Sequence, residues 1–444
     1  MKMPQKPKPL GKIFEEKVMD HLDLLDDKET QDLTKRYNEQ YVHWDELRYK
    51  DLPKDHEIVW ALMKLSRNNQ SKHVKFKDIN LEYNMTNQSQ RIIHILDTGA
   101  SGLLVVDDPL KEPEMARYVV SSLMEEAIAS SQLEGAVTTT KVAKQMLRAK
   151  RKPRSPSEQM IVNDYLTMQR IKEIRDQTLT IDTILELHKL VVHDTLEDPS
   201  FEGRFREDDE TVVADPLESD RIFHHPPSHK KIPEYMETLC KFANDEKDSD
   251  FQHPLVKAII IHFMIGYIHP FVDGNGRLAR ALMYWYALKR NYWLFQYMAI
   301  SKVIKQSKGK YGLAYLYSET DNNDITYFIN YNLSVMEKAL ENTRQYIARK
   351  QREQKDAMML VESHPELNFR QAEILKDMIK HKGEPATVAE IMSKFNVVHQ
   401  TARTDLQLLS KLGFLKMSKI GRTWYFFYQS DDNYKNEEKN TSRE

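Results

Sequence analysis

Cysteine is almost missing from this chain. Cys240 stands alone among 444 residues, so no disulfide can form within the chain, and the composition fits a reducing compartment such as the cytoplasm. Glycine and proline are sparse, at 13 and 17, which argues against a many-turned β fold and for long helices. No run of about 18 apolar residues occurs, so a membrane span is not expected. Met1 to Leu10 is basic and carries prolines, but no apolar stretch follows it, so it does not read as a secretory signal. Charge is balanced at -2 overall and exerts no general pull on nucleic acid. With 40% hydrophobic and 30% charged residues, the chain reads as a soluble protein long enough for two or three domains.

What is present is concentrated in one stretch. His269 to Arg280 reads HPFVDGNGRLAR. The apolar runs on either side, Leu255 to Ile268 and Leu278 to Leu288, read as buried helices, so the polar stretch is a tight connection between them. Pro270 keeps His269 out of an easy helical conformation and ends the first helix. Gly274-Asn275-Gly276 can turn several N–H groups inward, ahead of the free N–H groups of the helix starting near Arg277. Such a loop suits an anion, above all phosphate. Arg277 and Arg280 are three residues apart and share a helix face, with planar forks that match phosphate oxygens. Asp273 beside a phosphate needs a cation between them, and Mg²⁺ binds through a carboxylate plus substrate phosphates. His269 is then placed as a general base.

HPFVDGNGRLAR resembles the Fic motif, HxFx(D/E)GNGRxxR, at each of its defined positions. The wider resemblance covers roughly Gln40 to Leu340. It implies transfer of AMP from ATP to a Ser, Thr or Tyr hydroxyl of a target protein, the chain itself included. By that resemblance His269 is the base, Asp273 the Mg²⁺ ligand, and Gly274, Asn275, Gly276 and Arg277 the phosphate cradle. Arg280 holds the γ-phosphate. Tyr311, on a helix after the motif, is the candidate for the nucleobase pocket, with core packing as the alternative. A homodimer is compatible with the resemblance.

Two further stretches gain meaning from it. Glu112 to Glu134 has a helical stripe of Met115, Val119, Leu123, Ala127 and Ile128, and Gly135 suits a helix C-cap. On spacing alone SSQLEG at its end is a cap. By resemblance it is the (S/T)xxxE(G/N) inhibitory motif, in which Ser130 and Glu134 lie one turn apart and Glu134 pairs with Arg280 against the γ-phosphate. Phe201 to Arg206 followed by Thr211 to Ala214 suggests a strand, with Arg221 to His225 as its partner and Pro216 to Asp220 as the turn. The resemblance makes this hairpin, with Ile222, Phe223 and His224, the flap that pairs with a target segment by strand addition. Elsewhere, Trp44 and Tyr49 read as an aromatic core patch, and Phe76 to Asp97, with its polar centre Asn84 to Gln90, as irregular structure leading into a short helix. Ser155 and Thr180 read as helix caps and Ser301 as another. His188 and His262 read as satisfied core histidines.

The C-terminal region differs in charge. Asn368 to Tyr428 holds ten Lys and Arg against five Asp and Glu, and its pattern of three helices and two strands resembles a winged helix-turn-helix. Gln400, Thr401, Arg403, Thr404 and Gln407 would then face a DNA major groove, with Lys419 and Arg422 at the wing. Winged helices also dock proteins. The expected fold is therefore mainly α: a Fic-fold helical core with a β-hairpin flap plus a small C-terminal winged helix-turn-helix. The expected segments are an N-terminal helical region (1–110) with a disordered start, a core (111–343) whose inhibitory helix is 112–135, a linker helix (344–367), the winged helix (368–428) and a disordered tail (429–444). Two other functions stay open on the sequence. One is removal of AMP, with Glu134 activating water. The other is DNA-binding regulation with the core sensing nucleotide.

Overall fold

The computed structural model describes residues 2–19, 27–101, 112–214, 221–245, 251–380, 384–420 and 423–429. The chain divides into two compact units, residues 1–144 with 152–342, and residues 145–151 with 343–444. Among the described residues no helix is long and apolar enough to cross a membrane.

The first unit opens with α1 (Leu10–Ile13), α2 (Lys28–Glu39), α3 (Trp44–Leu47) and α4 (His56–Asn68). Trp44 and Trp60 pack with Leu47 and Val59 in a small apolar cluster of their own. Tyr49 does not join it: the ring is 70% exposed, with the Arg48 guanidinium 4.3 Å from its centroid. It lies past the end of α3, where the chain has left the cluster. A hairpin follows, β1 (Lys72–Phe76) paired with β2 (Ile79–Tyr83). Val74 and Phe76 on one strand and Ile79, Leu81 and Tyr83 on the other turn inward, the period-2 pattern of a half-buried ladder. α5 (Asn87–Leu96) starts at Thr86, whose side chain accepts from Ser89 N. The expected short helix is therefore present, while the irregular structure expected ahead of it is replaced from Phe76 to Tyr83 by the hairpin.

α6 (Glu112–Leu133), α7 (Thr140–Arg148, which ends in the second unit), α8 (Pro156–Glu173) and α9 (Ile181–Val192) come next. Ser155 and Thr180 cap α8 and α9 by accepting from Glu158 N and Thr183 N. The side chains of Met115 and Val119 lie outside the described residues, while Leu123, Ala127 and Ile128 are buried. The expected strand at Phe201 to Arg206 is absent. A 3-10 turn (Pro199–Phe201) opens it, and Arg206 is drawn inward by carbonyl groups instead of joining a ladder. The hairpin is shorter: β3 (Val213–Ala214) pairs antiparallel with β4 (Ile222–His224), with a register shift between Val213 and Ala214. Its expected turn, Pro216 to Asp220, lies outside the described residues.

α10 (Ile232–Asn244) leads to the centre of the unit, α11 (Pro254–Ile268) and α12 (Asn275–Lys289). Nearly every residue of both helices is buried, as expected for helices apolar all round. α13 (Ile300–Gln306) and α14 (Lys308–Thr320) follow, and α15 (Thr326–Ser363) begins in the first unit and ends in the second. Ser301 is not a cap. It lies inside α13, where its N–H and hydroxyl both donate to Glu126 on α6.

The second unit contains α16 (Phe369–Lys380), β5 (Ala386–Thr387), α17 (Val388–Phe395), α18 (His399–Lys411), β6 (Leu415–Ile420) and β7 (Thr423–Tyr428). The strands form an antiparallel sheet in the order β5-β7-β6. Ile374, Leu375, Ile391, Leu406, Leu409 and Phe426 fill its core. Buried Asp405 of α18 receives hydrogen bonds from Arg370 and Gln371 of α16, so α18 is fixed by polar as well as apolar contacts.

Candidate active site

The connection between α11 and α12 is braced from all sides. His269 takes a left-handed backbone, φ 49° and ψ 59°, uncommon for any residue but glycine. Its N–H donates to Ile265 O at 3.0 Å. Its carbonyl accepts from Arg206 Nε at 2.9 Å, and the Pro270 carbonyl accepts from Arg206 N at 2.9 Å. Arg206 is itself buried and held by Asp209 Oδ1 and by the carbonyls of Asp208 and Pro227. Asn275 closes the loop on itself: Oδ1 accepts from Phe271 N at 3.0 Å and Nδ2 donates to Phe271 O at 2.7 Å. Its side chain therefore shapes the cradle, and its backbone N–H remains among those of the loop. Gly274 has φ 82°, and a Cβ there would come 2.6 Å from Val192 Cγ1 on α9.

His188 is the second brace. Its ring stacks on Phe271 at 3.7 Å, Nε2 donates to Asp273 O at 3.0 Å, and Nδ1 accepts from Gly203 N at 3.1 Å. These roles require the neutral ring, and burial pushes its pKa down to about 4. It is a satisfied buried histidine, yet what it satisfies is the loop.

His269 lies half-buried at the start of the loop. Burial pushes its pKa down to about 4, so the ring is neutral at pH 7. Nδ1 faces Gly266 O at 3.3 Å. A neutral ring donating there leaves the Nε2 lone pair available to take a proton. Asp273 presents an exposed carboxylate, with Oδ1 accepting from Gly274 N at 2.6 Å and Oδ2 3.2 Å from Arg277 Nη2. Arg277 is buried and also donates to Val191 O at 2.8 Å.

Glu134 reaches this loop from α6. Its Oε1 lies 2.9 Å from Arg280 Nη2, and a Cβ at Gly276 would collide with the same oxygen. Only glycine at 276 lets the carboxylate sit over the cradle. Arg280 is buried and its fork also donates to Ser130, from Nε to Oγ at 3.1 Å and from Nη2 to Oγ at 3.0 Å. Burial raises the Glu134 pKa, but Arg280 outweighs it and holds the carboxyl below its ordinary value. Burial lowers the Arg280 pKa, and Glu134 more than restores it. Even so, Arg280 Nη1 and Arg277 Nε are buried with no hydrogen-bond partner among the described residues. Unpartnered buried guanidinium N–H groups are costly, and Arg280 Nη1 lies beside the space over Gly276, where an anion would relieve it.

Asp164 on α8 is a site residue that sequence reasoning missed. It is buried and accepts from Ser131 Oγ at 2.8 Å. Burial pushes its pKa up to about 6, against the pull of Arg277 and of the Ser131 hydroxyl. It anchors the end of α6 near both arginines. Lys308 adds a second anchor by donating to Leu133 O at 2.7 Å, a cation at a helix C-terminus. No local pattern around Asp164 or Lys308 announces either role.

The remaining expected site residues fall as follows. Ile222 is 37% exposed and Phe223 half-buried, whereas His224 is turned inward and buried. The Tyr311 hydroxyl is 2.8 Å from Nε2 of buried His262. In the second unit Gln400, Arg403, Thr404 and Gln407 are exposed along α18 and Thr401 is half-buried. Lys419 lies 5.7 Å from the Trp424 ring centroid. Arg422 lies outside the described residues.

Comparison with known proteins bears on this geometry. Residues 178–287 match the model of the Fic/DOC family. A protein adenylyltransferase Fic of Nematostella vectensis is 37% identical over 112 residues, 24% of this chain and 23% of its own. The protein adenylyltransferase Fic of Drosophila melanogaster is 31% identical over 165 residues, 37% of this chain and 29% of its own. The matched stretch thus spans less than a third of either relative. Among solved structures, a Fic family protein of Desulfovibrio desulfuricans G20 superposes with a TM-score of 0.53 at 17% identity, covering 78% of this chain and 98% of that one. Fic-1 of C. elegans gives 0.50 at 15%, covering 71% and 84%. These likenesses concern the fold. Residues 178–287, which carry the twelve-residue loop, thus match the Fic/DOC family, and the mostly helical architecture around them has the fold of Fic-family structures.

Proposed function

We propose that this protein transfers AMP from ATP to a hydroxyl side chain of a target protein, and that Glu134 restrains the reaction. One observation carries the reading. The Glu134 carboxylate occupies the space over Gly276 and pairs with Arg280, the place and the partner that a nucleotide phosphate would take. The adenylyltransferase relatives agree with ATP as the substrate.

The chemistry follows from the braced loop. The inward N–H groups of Gly274 to Arg277 and the two guanidinium groups receive the phosphates. Asp273, a single exposed carboxylate, fits Mg²⁺, which binds through one or two carboxylates plus substrate phosphates and so neutralises charge there. A target hydroxyl attacks the α-phosphorus, its proton passes to His269 Nε2, and pyrophosphate leaves. The gain comes from orientation and charge neutralisation, as in other phosphoryl-type transfers. The flap strand β4, with exposed Ile222, would offer backbone to the target segment. Tyr311 is assigned to the nucleobase pocket.

The test is labelling of protein by the full chain with α-phosphate-tagged ATP, UTP, GTP and CTP, with His269→Ala as control. Incorporation from ATP that needs His269 is expected. No incorporation from any nucleotide would overturn the reading. Release of AMP from a modified target, dependent on Glu134, would reverse the direction of the reaction.

A second reading concerns the second unit. Its helix and strand order, and the exposed Gln400, Arg403, Thr404 and Gln407 on one face of α18, favour a winged helix that binds duplex DNA, with Lys419 at the wing. Affinity should then fall steeply with salt. Salt-independent or absent binding would leave a protein-docking role.

A further inference from the structure

We propose that His224 is a positioning residue for the transfer proposed above: as an imidazolium bridging Glu319 and the Tyr267 carbonyl, it latches the flap to the turn that presents His269. The flap needs such a latch. Among the described residues its ladder has two pairs, Val213↔His224 and Ala214↔Ile222, broken by a register shift. A two-stranded hairpin is marginal in water even at full length. Ile222 is exposed and Phe223 half-buried, so His224 is the one residue of β4 that is buried.

The protonation state follows from the partners. His224 Nδ1 lies 2.7 Å from Glu319 Oε2, and Nε2 lies 2.7 Å from Tyr267 O. A carboxylate and a carbonyl only accept, and a neutral imidazole has only one N–H to give. Both contacts are hydrogen bonds only when the ring carries two protons, and they are then charge-assisted. Glu319 comes from α14 and Tyr267 from the last turn of α11, two residues before His269. The Tyr267 ring packs at 5.0 Å from His224 and stacks on Phe263 at 5.8 Å. One side chain therefore joins the strand that would receive the target, the helix after the motif and the end of the helix that carries the base.

The charged and titratable groups facing His224 are Glu319 on α14, Arg206 on the segment before the flap, and Tyr267 and His269 at the end of α11. Burial lowers the His224 pKa, Arg206 adds to that, and Glu319 with the Tyr267 carbonyl outweighs both, so the net shift is upward. The latch is thus complete below the ordinary histidine value of about 6.5 and is lost as pH rises through the raised one. Loss turns one contact into acceptor against acceptor. The same positive charge helps keep His269 unprotonated.

The test uses the full chain. Histidine ring NMR with ¹³C and ¹⁵N labels, assigned by His224→Gln, should find His224 doubly protonated at pH 7, and Glu319→Gln should move its titration to lower pH. A singly protonated His224 at pH 7, or a titration that Glu319→Gln leaves unmoved, overturns the latch. Kinetics in the Glu134→Gly background, with the His269→Ala chain as acceptor protein, give the functional half. Adding Glu319→Gln should raise KM for the acceptor roughly tenfold or more, the size of a charge-assisted hydrogen bond. It should leave KM for ATP unchanged and move the alkaline limb of the pH profile to lower pH. Equal alkaline limbs would contradict the positioning role. If no variant transfers AMP, the transfer reading fails, while the NMR titration still decides the latch.

Discussion

Two regions meet at Arg280 and they are held differently. The loop from His269 to Arg280 is fixed largely through its backbone and by groups buried beneath it. Arg206 binds two of its carbonyls, His188 a third, and Asn275 pairs with both polar groups of Phe271. The turn from Ser130 to Gly135 is anchored at its base by Asp164 and Lys308. Its working end, Glu134, is about a third exposed and reaches the loop through an ion pair with Arg280. The difference teaches which part is built to stay and which to leave. A loop braced by buried hydrogen bonds cannot shift one group without orphaning another. A partly exposed carboxylate on a single pair can exchange that pair for water. A phosphate competing for Arg280 has to displace only the latter.

The largest effect expected is on the fixed side. His269→Ala should lower transfer by about 100-fold or more, the usual worth of a general base, with nucleotide affinity measured by calorimetry nearly unchanged. Transfer at the wild-type rate would remove His269 from its role. Next, Gly274→Ala should destabilise the protein by about 1 to 3 kcal/mol, because the methyl meets Val192 at 2.6 Å and the backbone is left-handed. A thermal melt that matches wild type would mean that the loop is not as braced as described.

Stability should also depend on pH in a direction set by three buried neutral histidines, which outnumber the oppositely shifted His224. His43, His188 and His262 have pKa values pushed down to about 3, 4 and 3 by burial. Each stays neutral in the fold while the unfolded chain takes up protons below about 6.5, so stability falls as pH drops from there towards 4. A melting temperature constant from pH 7 to pH 5 would contradict this. The smallest effect belongs to the second unit. Lys419→Ala should reduce the salt slope of DNA binding by about 1 and weaken all sequences alike. An unchanged slope would take Lys419 off the phosphate backbone.

The loop was legible because its chemistry lies in twelve consecutive residues, and the paired apolar runs around it announce two buried helices. Helix starts at Ser155 and Thr180 were legible for the same local reason. What could not be read came from chain segments far apart. Arg206 contacts residues more than sixty positions later, and His188 acts on Asp273, 85 positions later. Arg206 instead suggested a strand, since alternating bulky residues carry that signal whether or not a ladder partner exists. The β1–β2 hairpin was hidden by a turn whose Lys77 takes positive φ, without the glycine or asparagine that marks such turns. Asn275 reads as part of a phosphate cradle in the motif, and only the fold shows that its side chain also ties the loop to Phe271.

The contrast between braced loop and exchangeable glutamate has one direct test. Transfer of tagged AMP by Glu134→Gly is compared with wild type at equal ATP, with ATP binding followed in parallel. Removing the carboxylate frees Arg280 and the space over Gly276. Transfer should therefore rise by about tenfold or more, equivalent to roughly 1.4 kcal/mol of barrier, and the rise should vanish when His269→Ala is added. A rate equal to wild type would contradict the brake and leave Glu134 as no more than the end of a helix.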